Sequence, residues 1–204
     1  MTTSPAKRRV DPEKAAGRRN QVLEAAAVCF ARSGFHGASM SEISKQAGMS
    51  AGHIYNYFDG KNAIILAFVD AHSEYVSDML SNLGSLEDPL QALVDNAERH
   101  VNDTLDPQPW HVSLEMYAEA SRNPDIAERL RAHEDSARGQ LMALVKRGRE
   151  RRNLAVDDVL LDSRVDTMIA YFHGLTVRAL HRPDMNRAGL VEAFQVSMRA
   201  LLMT

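Results

Sequence analysis

The chain has 204 residues, is 45% apolar and carries a formal net charge of −3. That length allows one medium domain plus a small one, and the apolar share is ordinary for a soluble globular protein. No run of about eighteen apolar residues occurs and no apolar stretch follows the basic N-terminal residues, so the expectation is a cytoplasmic protein with no membrane partner.

Charge is unevenly placed. Residues 1–64 hold nine Lys/Arg (Lys7, Arg8, Arg9, Lys14, Arg18, Arg19, Arg32, Lys45, Lys61) against five Asp/Glu (Asp11, Glu13, Glu24, Glu42, Asp59). That balance of +4 leaves −7 for the remainder. Phosphate contacts need positive charge only where the duplex lies, so the pattern favours a small DNA-binding head on an acidic body.

In chain order, Met1–Lys14 has two prolines and a Lys-Arg-Arg cluster without periodicity, and reads as a disordered tail. A first helix is expected from about Ala15 to Ser33, with Val22, Ala26 and Phe30 on one face and Gly34 as its stop. The one cysteine, Cys29, sits among Ala25, Ala26 and Phe30 and reads as a buried, inert thiol. Arg18 and Arg19, at the start of this helix, are placed for backbone phosphates.

Ser39 followed three residues later by Glu42 is a capping box. Met40, Ile43 and Ala47 then bury one narrow face, and Gly48 supplies a left-handed stop. Ser50 is the next N-cap, and Ile54 with Phe58 makes the i, i+4 face of a second helix. Helix, glycine-containing turn and helix is the helix-turn-helix plan, whose second helix enters the major groove with its first residues at base edges. On the open face Ala51 and Gly52 permit close approach, while His53, Tyr55, Asn56 and Tyr57 offer donors and flat rings. Taken alone, the pattern also fits an ordinary helical hairpin with two tyrosines on a core.

The run Gly34-Phe35-His36-Gly37-Ala38-Ser39-Met40, with Ile43, Ala47-Gly48-Met49-Ser50, Ile54-Tyr55-Asn56-Tyr57-Phe58 and Lys61, resembles the N-terminal domain of the TetR family of transcriptional regulators. The resemblance covers roughly residues 18–68. Ser44 stands where the family often has Ala, and Ala38 where Thr is frequent. It implies a double-stranded DNA operator contacted by Arg18, Arg19, Ser39, Met40, Ser41, Ser50, Ala51, Gly52, His53, Tyr55, Asn56, Tyr57 and Lys61, with Lys61 at a phosphate. It further implies a homodimer built on the last two long helices and a small-molecule effector held in the body.

Lys61 opens a fourth helix reaching about Leu83. Asp88-Pro89 is an N-cap followed by Pro, and Leu90, Leu93, Val94, Ala97 and Val101 continue at helical spacing. After the break at Asp106-Pro107-Gln108-Pro109 come helices over Trp110–Arg122 and, capped by Asn123-Pro124, on to roughly Arg152. Asp158–His181 and Arg187–Met203 form the final pair. The first of these is apolar nearly all round, with Val165, Ile169, Phe172 and Thr176 as one stripe and Met168, Tyr171 and Leu175 as another, and so is buried on both sides. A two-fold copy is the simplest cover, with Val165, Ile169, Phe172, Thr176, Leu190, Phe194, Met198 and Leu201 at the interface.

The fold expected is all-α with about nine helices. A tail (1–14) precedes a three-helix helix-turn-helix domain (15–60) and a helical ligand-binding and dimerisation domain (61–204). Phe68, His72, Trp110, Leu114, Tyr117, Met142, Met168 and Tyr171 are available to line a pocket for an apolar or aromatic effector. Glu115 and Glu119, at i, i+4, would neutralise a cationic one. No His-Glu-x-x-His, paired Cys, Gly-x-Ser-x-Gly or phosphate-binding glycine loop occurs, so neither an enzyme, a cofactor nor a metal is expected. Repression through a palindromic operator, relieved by the effector, is the leading reading. An architectural or division-linked DNA binder without an effector is the alternative.

Overall fold

The computed structural model describes residues 12–105 and 110–204, with side chains from Ser113 onward in the second stretch. Every regular element among them is a helix: α1 Pro12–Gly37, α2 Met40–Ala47, α3 Ala51–Ile54, α4 Lys61–Ser85, α5 Pro89–Leu105, α6 Trp110–Ala120, α7 Pro124–Arg151, α8 Asp158–His181 and α9 Arg187–Met203. The all-α architecture and the helix punctuation are those expected. None of these helices is long and apolar enough to cross a membrane.

Local chemistry accounts for the boundaries. Pro12 to Lys14, expected in the tail, instead open α1, because proline suits the first helical turn and Glu13 complements its dipole. The rest of the expected tail lies outside the described residues. α1 kinks at Gly34, whose φ of 68° and ψ of 172° belong to a region open essentially to glycine alone. The capping box between Ser39 and Glu42 is complete: Ser39 N–H donates to the carboxylate at 2.9 Å, and Glu42 N–H donates to the hydroxyl at 3.2 Å. Gly48 closes α2 in the left-handed conformation, φ 63° and ψ 30°. Asn123 accepts from the Asp125 and Ile126 amides at the start of α7. Asp88 accepts from the Gln91 amide at the start of α5 and pairs with Arg152, the C-cap of α7.

The chain divides into two compact units, 1–68 and 69–204. In the first, α1 is the platform: Val22, Ala26, Cys29 and Phe30 are buried with Ile43 of α2, Ile54 of α3 and Ile64 and Ile65 of α4. Phe30 stacks edge-on against both Phe35 and Phe68. The second is built around α5, whose Leu90, Val94, Ala97 and Val101 meet Leu144 and Val145 of α7, Val165 and Met168 of α8, and Met198 and Leu202 of α9. α7 crosses α5 closely at Gly148, where an added Cβ would meet Leu90 at 2.6 Å. Arg149, 3% exposed, reaches from α7 to the carbonyls of Ala155, Leu202 and Thr204 at 2.8, 2.7 and 3.0 Å.

Candidate functional site

The first unit presents α3. Ile54, fully buried, and Phe58 anchor it from below, and the Ser50 hydroxyl accepts from the His53 amide at 3.2 Å. Ala51, Gly52, His53, Tyr55 and Asn56 are left exposed, and Tyr57 is half-buried. The Tyr57 hydroxyl lies 3.3 Å from His53 Nε2, so this pair is pre-ordered on the helix surface. A Cβ at Gly52 would meet nothing within 4 Å, so the chain's own packing does not require a glycine there.

The basic residues expected at DNA have intramolecular work. The Arg19 guanidinium lies 4.3 Å from the Phe58 ring centroid and donates to the Tyr57 carbonyl, bracing the turn after α3. Arg18 donates to Gln21, which in turn donates to the Ala47 carbonyl at the end of α2. Lys61 donates to the carbonyls of His36 and Ala38 at 3.3 and 3.0 Å, tying α4 to the turn before α2. Ser39 and Ser50 are caps, Ser41 is exposed, and Met40 is half-buried.

The second unit holds a partly open cavity of about 280 Å³ bounded by α4, α5, α6, α7 and α8. One wall is apolar, with Val76, Met79, Leu93, Leu141, Ile169 and Phe172. The lining also carries His72, Tyr117, His133, Glu134 and His173. The Tyr117 hydroxyl is 3.2 Å from His173 Nε2, and His173 Nε2 is 3.6 Å from the Glu134 carboxylate. Burial, with help from the Glu134 charge, pushes the Tyr117 hydroxyl up to about 12, so it stays protonated. Beside the cavity, Arg129 grips Asp70 through two hydrogen bonds of 2.7 and 3.1 Å, and His133 adds a third at 2.8 Å. Burial alone would raise the Asp70 carboxyl, but these bonds outweigh it and hold it below the usual range.

Of the residues expected to line a pocket, His72 and Tyr117 do so. Met168 is buried core, Phe68 packs in the first unit, and Leu114, Met142 and Tyr171 lie outside the lining. The Trp110 side chain falls outside the described residues. Glu119 is buried beside Arg122 at 3.2 Å, away from the cavity. His100, His133, Glu134 and His173 were not singled out for the pocket. For His133 and Glu134 the signal is the mixed face of α7, where 130, 133, 134, 137, 138 and 141 recur at helical spacing and all line the cavity; His100 of α5 and His173 of α8 have no such signal.

The residues expected between two copies divide. Val165, Phe194 and Met198 are buried within their own chain, and Ile169, Phe172 and Thr176 face the cavity. Leu190 and Leu201 are half-buried against the core. The physical reason is that α8 packs on α5, α7 and α9 through Leu161, Val165, Met168, Leu175 and Ala179. Its open side is therefore the one bearing Ala170, Tyr171, Gly174 and Val177. On α9 the open side bears Gly189, Ala193, Val196 and Ala200.

His100, half-buried against the Phe172 ring at 4.5 Å between centroids, is expected to make the stability of the second unit depend on pH. Burial is the main reason its imidazole is pushed down to about 4, with His173 adding to the effect and Asp103 opposing it. The unfolded chain would bind a proton near the ordinary value of 6.5. Between those values the unfolded state binds more protons, so stability falls as pH falls. The expected loss from pH 7.5 to 5.0 is about 2 kcal/mol, with His72 shifted in the same direction by its own burial. Urea unfolding at the two pH values checks this: His100→Gln should remove most of the difference, and an undiminished difference would refute the assignment.

The family profile described as "Bacterial regulatory proteins, tetR family" matches residues 22–68, and that described as "BetI-type transcriptional repressor, C-terminal" matches 88–202. The chain is 24% identical over 149 residues to the HTH-type transcriptional repressor AcnR of Corynebacterium efficiens, covering 71% of this chain and 75% of that protein. It is 28% identical over 119 residues to the HTH-type transcriptional regulator UidR of Escherichia coli, covering 55% of this chain and 57% of UidR. Its fold is similar to that of the transcriptional regulator FadR from Bacillus subtilis in complex with stearoyl-CoA, with a TM-score of 0.71 and 19% identity over 90% of this chain and 97% of that one.

Proposed function

Given that this chain belongs to the TetR family of bacterial regulatory proteins, whose members named above are transcriptional regulators and not enzymes, we propose that it is a ligand-responsive repressor. It binds a palindromic operator as a homodimer and is released by a small effector. The observation that carries DNA recognition is the exposed tip of α3, where Ala51, Gly52, His53, Tyr55 and Asn56 stand clear of a buried Ile54. The cavity supports the effector and weighs against an architectural DNA binder, whose body would be filled. FadR's complex with stearoyl-CoA is a precedent for a ligand in this fold.

Dimerisation is proposed through the open sides of α8 and α9. Ala170, Gly174, Gly189, Ala193 and Ala200 are small and exposed, so helix axes can approach closely, and Tyr171, Val177 and Val196 add apolar area at 42%, 46% and 57% exposure. The effector acts by population shift. α4 belongs to both units: Val69, His72, Val76 and Met79 line the cavity, and Lys61, at its start within the first unit, is bonded to the His36 and Ala38 carbonyls. An effector preferring the released state about 100-fold supplies about 2.7 kcal/mol of coupling.

Selection of bound genomic fragments by the purified protein tests the reading. One enriched palindrome supports it; binding without an enriched palindrome favours the architectural alternative. On the winning fragment, Tyr55→Ala should weaken binding to every sequence. Asn56→Ala should relax preference at a single position, at a cost of about 1–3 kcal/mol on the preferred base. Equal losses on selected and scrambled DNA for Asn56→Ala would remove Asn56 from base readout.

A further inference from the structure

Ile54 and Phe58 anchor the recognition segment in the core, at 0% and 2% exposure. The residue before each of them, His53 and Tyr57, is respectively exposed and half-buried. The Tyr57 and Phe58 amides both donate to the Ile54 carbonyl, at 2.9 and 3.1 Å, so helical spacing continues past the end of α3. Four residues apart, His53 and Tyr57 therefore share one face. Their ring centroids are 5.4 Å apart, and the Tyr57 hydroxyl lies 3.3 Å from His53 Nε2. Tyr57 is held at its other end as well: its carbonyl accepts from Arg19 of α1, whose guanidinium lies over the Phe58 ring. The two side chains are thus paired before DNA arrives, and less rotamer freedom is left to lose on binding.

The protons of the pair limit what it reads. With the imidazole neutral, the two side chains hold two donors, the imidazole N–H and the tyrosine O–H. Their mutual bond uses one donor and one acceptor, whichever way it runs. When the tyrosine donates to Nε2, the imidazole N–H at Nδ1 is left over, together with a lone pair on the tyrosine oxygen. When Nε2–H donates, the tyrosine O–H is left over, together with the lone pair at Nδ1. Either way one donor and one acceptor remain to meet DNA. In the major groove adenine presents one acceptor, N7, beside one donor, the N6 amino group, whereas guanine presents two acceptors. Thymine and cytosine each present a single polar group there.

We propose that His53 and Tyr57 form one reading unit for an adenine in each operator half-site, with the Tyr57 hydroxyl restricting what the imidazole presents. Without that hydroxyl the imidazole is at liberty to offer either a donor or an acceptor, and guanine becomes as good a partner as adenine. A Tyr57 hydroxyl spent on a phosphate would instead strengthen binding to every sequence alike. The inference rests on the reading of the first unit as an operator-binding head.

The test is the affinity of the full-length protein for the selected palindrome and for its single base-pair replacements, made symmetrically in both half-sites. His53→Ala should make indifferent one position at which the wild-type protein prefers A·T over G·C about tenfold. Tyr57→Phe should bring the preference at that same position to within about threefold and leave the other positions as they were. Because the two side chains act together, the double variant should have the preferences of His53→Ala alone. The unit is overturned by a G·C preference at the His53 position, by a His53→Ala profile identical to wild type, or by a Tyr57→Phe loss that is uniform across sequences with the His53 preference intact. The His53→Ala profile can overturn it alone, even if Tyr57→Phe folds poorly. A wild-type protein that selects a palindrome but gives one of these results removes the unit and keeps the regulator; one that selects no sequence removes both.

Discussion

Gly174→Arg is expected to abolish dimerisation and to lower operator affinity by about 10²–10⁴-fold while leaving the chain folded. Gly174 is exposed on the open side of its helix. It lies mid-way along α8, where glycine costs roughly 1 kcal/mol of helix stability relative to better helix formers. A Cβ built there meets nothing within 4 Å, so nothing in the chain itself requires its absence. Ala170 and Val177 flank it on the same open side. A close-packed second copy gives the missing side chain a purpose, and a long cationic side chain in that position blocks the approach. Two linked reading heads bind with the effective concentration their connection provides, and a monomer forfeits it. Sedimentation and circular dichroism check the result together. A monomer with undiminished helicity and weak operator binding is expected; a Gly174→Arg dimer would place the interface elsewhere.

The second large effect is on stability. Arg149→Leu is expected to cost about 3–4 kcal/mol, lowering the thermal midpoint by on the order of 10 °C. Arg149 satisfies three carbonyls at once: Ala155 after α7, and Leu202 and Thr204 at the end of α9. The Leu202 and Thr204 carbonyls are helix-end groups without intrahelical partners, that of Ala155 lies in the connection after α7, and each left unmet away from water carries a desolvation cost. Leucine fills part of the volume but donates nothing. Loss confined to a few tenths of a kcal/mol would show that water replaces the guanidinium freely. Arg149→Lys, able to reach one or two of the carbonyls, should fall between.

The local punctuation of this fold was legible because each signal is a short-range rule. Ser39 with Glu42, Gly48, Ser50, Asn123-Pro124 and Asp88-Pro89 all lie at the helix ends where their chemistry places them. Pro12 was an available start signal for α1 that the surrounding polar composition obscured. What periodicity did not supply was facing. α8 is apolar on most of its circumference, so the stripe through Val165 and Phe172 and that through Met168 and Tyr171 were indistinguishable until α5, α7 and α9 were in place. The core takes Val165 and Met168, the cavity takes Phe172, and Tyr171 remains exposed.

Charged groups were hidden for a related reason, since partners lie far apart in sequence. Asp70 finds its partners in Arg129 and His133, 59 and 63 residues away. Lys61 reads as a phosphate ligand, and its ammonium is bonded to two backbone carbonyls.

The most direct test of a dimeric, DNA-reading regulator is the stoichiometry and salt dependence of the complex with the selected palindrome, by sedimentation and fluorescence anisotropy. Two chains, or a multiple of two, per duplex and a steep linear fall of log affinity with log salt are expected. One chain per duplex, or affinity indifferent to salt and to the palindrome, would contradict the account.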